Sequence, residues 1–146
     1  MGCYYYIGNV DFAPEQKGQV EALLTKHDLE GLFTIEDYDH GAYLQQQQGD
    51  MSHSTAGDID EMLDEMAVMV AGTPHDGQVI DSEYESEKAG HVLVGGKRHD
   101  VACNQLITKT DEQLPIGQET ETLVFVKVLG LPNKQAIIIG LSRQGV

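Results

Sequence analysis

The segment TAGDIDEMLDEMAVMV, residues 55–70, has the clearest periodicity in the chain and predicts an amphipathic helix over residues 56–71. Its apolar residues recur at spacings of three and four, which places their side chains on one face of a helix. They are Ile59, Met62, Leu63, Met66 and Val70. Thr55 followed by Asp58 resembles a capping box at the start of this helix. The run Gly72-Thr73-Pro74 predicts its end.

The face of this helix opposite the apolar stripe carries a set of five carboxylates. They are Asp58, Asp60, Glu61, Asp64 and Glu65. Like charges three or four residues apart destabilise a helix by roughly 0.2–0.5 kcal/mol a pair. A sequence selected for helix stability alone would place a lysine among them, and this one does not. We therefore interpret the set, called the helix carboxylates below, as part of a binding surface.

The helix lies in a longer acidic segment, residues 27–87, which holds sixteen carboxylates and no Lys or Arg. The whole chain of 146 residues has a formal net charge of −15. This charge argues against direct binding to nucleic acid or to an anionic membrane, because both are polyanions. A halophilic surface bias would extend over every segment, yet residues 113–146 contain only two acids against three bases.

A second set of carboxylates follows the helix, in residues 78–87, where the sequence alternates with period two and predicts a strand. One face would hold Ile80, Ser82, Tyr84 and Ser86, and the other Asp81, Glu83, Glu85 and Glu87. Four carboxylates on alternate strand positions span roughly 20 Å. Beside the helix carboxylates, they would approach the charge spacing of about 3.4 Å along a nucleic-acid strand. We call Asp81, Glu83, Glu85 and Glu87 the hairpin carboxylates, since a turn is predicted next at residues 88–90.

The other segments predict an α+β domain. Residues 3–12 predict a first strand, and a helix after Pro14 would bury Val20, Leu23, Leu24 and His27. Residues 32–38 and 42–48 predict a β-hairpin, with Gln45–Gln48 finishing an exposed edge strand. The order β-α-β-β-α-β-β predicts an antiparallel sheet with two helices on one face, in a ferredoxin-like split βαβ order, followed by a C-terminal β-hairpin.

The length predicts one domain over residues 1–146. It would comprise an acidic α+β core (1–107), a linker (108–118) and an apolar C-terminal hairpin (119–146) that turns at residues 130–133. The two cysteines, Cys3 and Cys103, predict free thiols in a reducing, cytoplasmic compartment. The longest apolar runs are too short to span a bilayer, so no membrane association is expected.

No catalytic signature occurs, and the sequence predicts neither an enzyme nor a cofactor. His91, His99 and Cys103, with Cys3 as a fourth ligand, could be read as a zinc site, but the paired spacing of zinc motifs is missing. One buried thiol and two surface histidines is the simpler interpretation. A nucleophilic set of Cys103, His99 and Asp100 is weaker still, because His99 and Cys103 would lie about 13 Å apart along a strand.

These observations predict a non-enzymatic binding protein whose acidic face docks onto a basic, nucleic-acid-binding partner. The helix and hairpin carboxylates would imitate a polyanion and inhibit, for example, a nuclease or a host-defence complex, as proteins encoded by phages and mobile elements do. Two alternatives stay open. The acidity could serve only solubility, and the chain could be a small structural or assembly module that forms a homo-oligomer through the C-terminal hairpin.

Overall fold

The computed structural model describes residues 2–102, 124–126 and 137–139. These residues form two helices and ten strands, so the chain is an α+β protein with antiparallel sheets. The strands are β1 (Gly2–Ile7), β2 (Val10–Phe12), β3 (Phe33–Tyr38), β4 (Gly41–Gln46), β5 (Asp50–Ser52), β6 (Gln78–Tyr84), β7 (Glu87–Val94), β8 (Lys97–Ala102), β9 (Val124–Val126) and β10 (Ile137–Ile139). The helices are α1 (Lys17–Lys26), which follows a 3-10 turn at Pro14–Gln16, and α2 (His53–Val70).

The described strands divide among three antiparallel sheets. A five-stranded sheet has the order β5-β1-β6-β7-β8, a three-stranded sheet has the order β2-β4-β3, and β9 pairs with β10. The expected single sheet with a ferredoxin-like order is therefore not confirmed. The predicted linker (108–118) and the predicted turn of the C-terminal hairpin (130–133) lie outside the described residues.

The first predicted strand is in fact two strands, because the chain leaves one sheet for another at Gly8-Asn9. β1 pairs with β5 and β6, whereas β2 pairs with β4. The N–H of Gly8 donates a hydrogen bond to the carbonyl of Asp81 at 2.7 Å, so the chain is still bonded to β6 where it leaves the sheet. The buried positions shift phase at the break, from Cys3, Tyr5 and Ile7 to Val10 and Phe12, so each half alternates with period two only within itself.

The apolar stripe of α2 forms the centre of the core, as predicted. Each of its five members is completely buried, and the helix packs on the five-stranded sheet and contacts α1. The helix begins earlier than predicted, because the Ser52 hydroxyl accepts a hydrogen bond from the backbone N–H of Thr55 at 3.0 Å and caps it. Its end at Gly72, which has φ +77°, agrees with the sequence prediction.

Two glutamine side chains connect the sheets by imitating a peptide group. Gln46 accepts a hydrogen bond from the backbone N–H of Ile7 at 2.8 Å and donates to the carbonyl of Tyr5 at 2.6 Å. In the same way Gln78 accepts from the N–H of Asp11 and donates to its carbonyl, both at 2.8 Å. The expectation of an exposed edge strand at Gln45–Gln48 is therefore wrong for Gln46, which is 3% exposed on the central strand of its sheet.

The hairpin of β6 and β7 turns earlier than the sequence indicates. Tyr84 is paired with Glu87, and the two residues between them, Glu85 and Ser86, have φ values of +48° and +75°. Two central residues with positive φ suit a tight hairpin, because this turn matches the twist of the strands. The predicted turn at residues 88–90 is therefore wrong. The sequence did not indicate the actual turn, because neither Glu85 nor Ser86 is the Gly or Asn that usually occupies such a position.

Candidate functional site

The helix carboxylates are partly neutralised by cations from other elements. Asp64 accepts a hydrogen bond from Arg98 Nε at 2.8 Å, and Glu65 accepts one from Lys26 Nζ at 2.7 Å. Glu65 also contacts the ring of His27. The hydrogen bond from Lys26, and then that from His27, lower the pKa of Glu65. The free negative charge of α2 is thus smaller than the sequence indicates.

The remaining three helix carboxylates have different surroundings. Asp60 accepts a hydrogen bond from the Tyr5 hydroxyl at 2.6 Å. Glu61 is exposed and lies 3.9 Å from His27 Nδ1. Within the described residues, Asp58 forms no ion pair. Asp58 and Glu61 therefore present most of the uncompensated charge on this helix.

The hairpin carboxylates do not form the predicted row of four. Asp81 and Glu83 lie on the face of the sheet opposite α2, since the alternate positions on β6 point toward the core and toward Tyr5. Glu83 also forms an ion pair with Lys88.

Glu85 and Glu87 lie at the tip of the β6–β7 hairpin. Glu85 is in the turn, where its carboxylate accepts the N–H of Tyr4 at 3.2 Å. Glu87 begins β7 opposite Tyr84, so it lies on the α2 side of the sheet. The fold therefore brings only part of this set near the helix carboxylates.

A polar network, which the sequence did not predict, lies between α2 and the five-stranded sheet. The hydroxyl of Tyr5 is 2.8 Å from His91 Nε2 in addition to its bond with Asp60. His91 Nδ1 is 2.7 Å from Asp100 Oδ1, and Arg98 Nη1 donates to the same oxygen at 2.5 Å. Tyr5 and His91 are buried, at 5% and 6% exposure. Burial, followed by the hydrogen bond to Asp60, raises the pKa of the Tyr5 phenol.

A cleft of about 390 Å³ opens beside this network, between α2 and the β6–β7 hairpin. Small residues line much of it: Ala56, Gly57, Ala89 and Gly90. Asp60, His91, Tyr84 and His53 also line the cleft. It thus combines a carboxylate, exposed aromatic surface and an apolar lining. Such surroundings favour a cation over an anion.

His91 was expected at the surface, and this interpretation is wrong. The register pairs His91 with Asp100 and Val92 with His99, so the two histidines face opposite sides of the sheet. They do not share a metal site, and no cluster of three or more metal-ligating side chains occurs among the described residues. Cys103 lies outside the described residues.

The sequence did contain a signal for the buried members of the network. Period two in β1 places Tyr5 on the same face as Cys3 and Ile7, and all three are buried. His91 opens the apolar run His91–Val94, all of which is buried. A polar residue in such a run indicates a partner, but the sequence could not identify Asp100 or Tyr5 as that partner.

Comparison with protein-family models, with curated proteins and with solved structures found no match. Among the described residues, neither helix has the length and apolar character needed to cross a membrane. A proposal for the function therefore depends on the charge and geometry of the chain itself.

Proposed function

We propose that this chain is a non-enzymatic acidic binding protein that docks onto the basic surface of a nucleic-acid-binding partner. In this proposal its carboxylates take the place of nucleic-acid phosphates and block the partner, as an inhibitor of a nuclease or of a host-defence complex would. The protein itself would not bind nucleic acid. Basic grooves gain affinity by exchanging counterions for fixed negative charge, and carboxylates on a folded surface supply such charge.

The observation that carries the proposal is the excess of unpaired carboxylates. Residues 2–102 contain 20 acidic and only five basic side chains. Four of these five cations are already engaged in ion pairs: Lys17 with Asp37, Lys26 with Glu65, Lys88 with Glu83, and Arg98 with Asp64 and Asp100. Most carboxylates thus lack a cation of the described chain and are available to a basic partner.

The part of this surface that best suits docking surrounds the cleft. Asp58 and Glu61 flank it on α2, next to the lining residues Gly57 and Asp60. Glu85 and Glu87 follow the lining residue Tyr84 at the hairpin tip. These four carboxylates are on neighbouring elements, whereas Asp81 and Glu83 point to the other side of the sheet.

Replacing the four carboxylates around the cleft with their amides should weaken binding to a basic ligand. This docking variant carries Asp58→Asn, Glu61→Gln, Glu85→Gln and Glu87→Gln, and the probe is an arginine-rich peptide measured by fluorescence anisotropy over a salt series. We expect a loss of at least about tenfold in affinity and a shallower salt dependence, since each lost charge contact removes about one released counterion. A variant with only Asp81→Asn and Glu83→Gln, which lie on the other face of the sheet, should keep its affinity within about twofold of the parent.

The control removes the same number of charges from other exposed positions. It carries Glu15→Gln, Glu21→Gln, Glu30→Gln and Asp39→Asn, all at exposed residues. The proposal expects this control to bind within about twofold of the parent, since screening limits distant charges. If the control loses as much affinity as the docking variant, the charge acts diffusely and serves only solubility.

The alternative proposal is an assembly module that self-associates through the C-terminal hairpin. The observation in its favour is the antiparallel pairing of β9 with β10, in which Ile137 lies opposite Val126. Under this proposal, deleting residues 119–146 yields a monomer in light scattering, while the charge-neutralised variants keep the oligomer. A parent protein that is monomeric at assay concentration would exclude it.

A further inference from the structure

The cleft between α2 and the β6–β7 hairpin has the shape of a pocket for a single long side chain. Its volume is about 390 Å³, and small residues keep it open on both walls. Gly57 is notable among them, because a Cβ added there would meet no atom within 4 Å. The space in front of this helix position is therefore unoccupied by the described chain.

The charged groups around the cleft favour a cationic occupant. The Asp60 side chain is 39% exposed, and its carboxylate keeps acceptor sites beyond the one used by Tyr5. Arg98 forms ion pairs with Asp64 and Asp100, whereas Asp60 forms no ion pair with a Lys or Arg of the described residues, so its negative charge remains available at the cleft. The partial positive charge at the N-terminus of α2 disfavours a cation in the cleft, but it is smaller than the full negative charge of Asp60.

The lining further favours a guanidinium over an ammonium group. Tyr84 is 40% exposed and its aromatic side chain lines the cleft. A guanidinium stacks on such faces and is more weakly hydrated than an ammonium, so it loses less on entering a partly apolar cleft. Its planar set of donors also matches a carboxylate such as that of Asp60.

We infer that this cleft receives an arginine side chain of the basic partner, with the guanidinium bound to Asp60 and stacked on Tyr84. The inference rests on the proposed function, because it identifies the residue by which the partner is anchored. A buried arginine surrounded by weaker charge contacts is a frequent arrangement in protein interfaces.

The test is an amide chemical-shift titration of the full chain with Nα-acetyl-arginine amide. We expect shifts confined to the cleft, at residues such as Gly57, Ala89 and Gly90, and much smaller shifts with the neutral citrulline analogue. Asp60→Asn should weaken arginine binding by at least about tenfold, because it removes the charge while keeping an acceptor for Tyr5. Cleft shifts of equal size with citrulline would overturn the inference.

A second variant fills the cleft without altering its charge. Gly57→Leu places a side chain in open space on a helix, where replacing glycine also favours the helical state, so the protein should remain folded. The matched control is Gly18→Leu on α1, since Gly18 is exposed and a Cβ there also meets no atom within 4 Å. Gly57→Leu should abolish the arginine-induced shifts, and Gly18→Leu should leave them unchanged. Unchanged shifts in Gly57→Leu would overturn the inference.

Failure of this inference can be told apart from failure of the proposed function. If the arginine-rich peptide binds Gly57→Leu as well as it binds the parent, but loses affinity for the docking variant, the acidic surface binds and the cleft does not. If the peptide distinguishes neither the docking variant nor its charge control from the parent, the proposed function fails. The titration with the single amino-acid amide then still reports on the cleft alone.

Discussion

Replacing Gln46 with leucine is expected to lower the free energy of unfolding by about 3 kcal/mol, because it leaves buried backbone groups without partners. The side chain of Gln46 is the acceptor for the N–H of Ile7 and a donor to the carbonyl of Tyr5. It also donates to the carbonyl of Gln48 at 2.7 Å. Leucine has a similar volume but can make none of these bonds, so its added apolar surface offsets only part of the loss.

The measurement is urea unfolding of the parent and the variant, followed by circular dichroism. Gln48→Leu is the matched control, since Gln48 is exposed and contributes its backbone carbonyl, which the substitution retains. We expect the control to stay within about 0.5 kcal/mol of the parent. If the two variants are equally stable, the glutamine bridge does not hold the two sheets together.

The burial of Gln46, in contrast to its exposed neighbours Gln47 and Gln48, could not be predicted from the sequence. Gln45, Gln46, Gln47 and Gln48 are chemically identical, and period two alone does not reveal which of them is buried. The buried one is selected by β1, which is far away in sequence and whose backbone groups at Tyr5 and Ile7 need partners. A sequence pattern reports which face a residue occupies, but not what lies across from it.

The elements defined by local periodicity were predicted well, in contrast to their arrangement. The α2 stripe, the helix after Pro14 and the β3–β4 hairpin follow from spacing within one segment, and the structure confirms them. The division into sheets depends on the break at Gly8-Asn9. The positions of Glu85 and Glu87 depend on the turn at Glu85-Ser86. Gly8-Asn9 is a turn signal but does not reveal that the two halves pair in different sheets, and Glu85-Ser86 contains neither of the residues that usually mark a tight hairpin turn.

The candidate site differs from the sequence prediction for a related reason. A charge count over residues 27–87 includes no cation from other segments, so the negative charge of this segment appears uncompensated. In the fold, Lys26 and Arg98 come from outside that segment and neutralise Glu65 and Asp64. What survives is a smaller set of free carboxylates around a cleft, and no pattern within the segment could have located the cleft.

Replacing Tyr5 with phenylalanine is expected to lower the free energy of unfolding at pH 7 by about 2 kcal/mol, because Asp60 and the buried His91 lose a hydrogen-bond partner. The variant keeps the aromatic ring and its packing, so the loss reports on the hydroxyl. Tyr43→Phe is the control, since it removes a hydroxyl from a half-buried tyrosine outside the network. The control should change stability by less than about 0.5 kcal/mol.

The same variant should alter the dependence of stability on alkaline pH, and the sign of the change follows from the pKa of the phenol. Burial and the bond to Asp60 raise the pKa of Tyr5 in the folded protein, whereas the unfolded chain ionises near the ordinary value of about 10. Above that pH the unfolded state binds fewer protons than the folded state, so the parent loses stability as the pH rises. Tyr5→Phe lacks this contribution, and its stability should fall less steeply between about pH 10 and 11. Absorbance at 295 nm should show one tyrosine fewer among those that resist ionisation until unfolding. Equal slopes for parent and variant would mean that the Tyr5 hydroxyl is not held in its protonated form by Asp60 and the surrounding core.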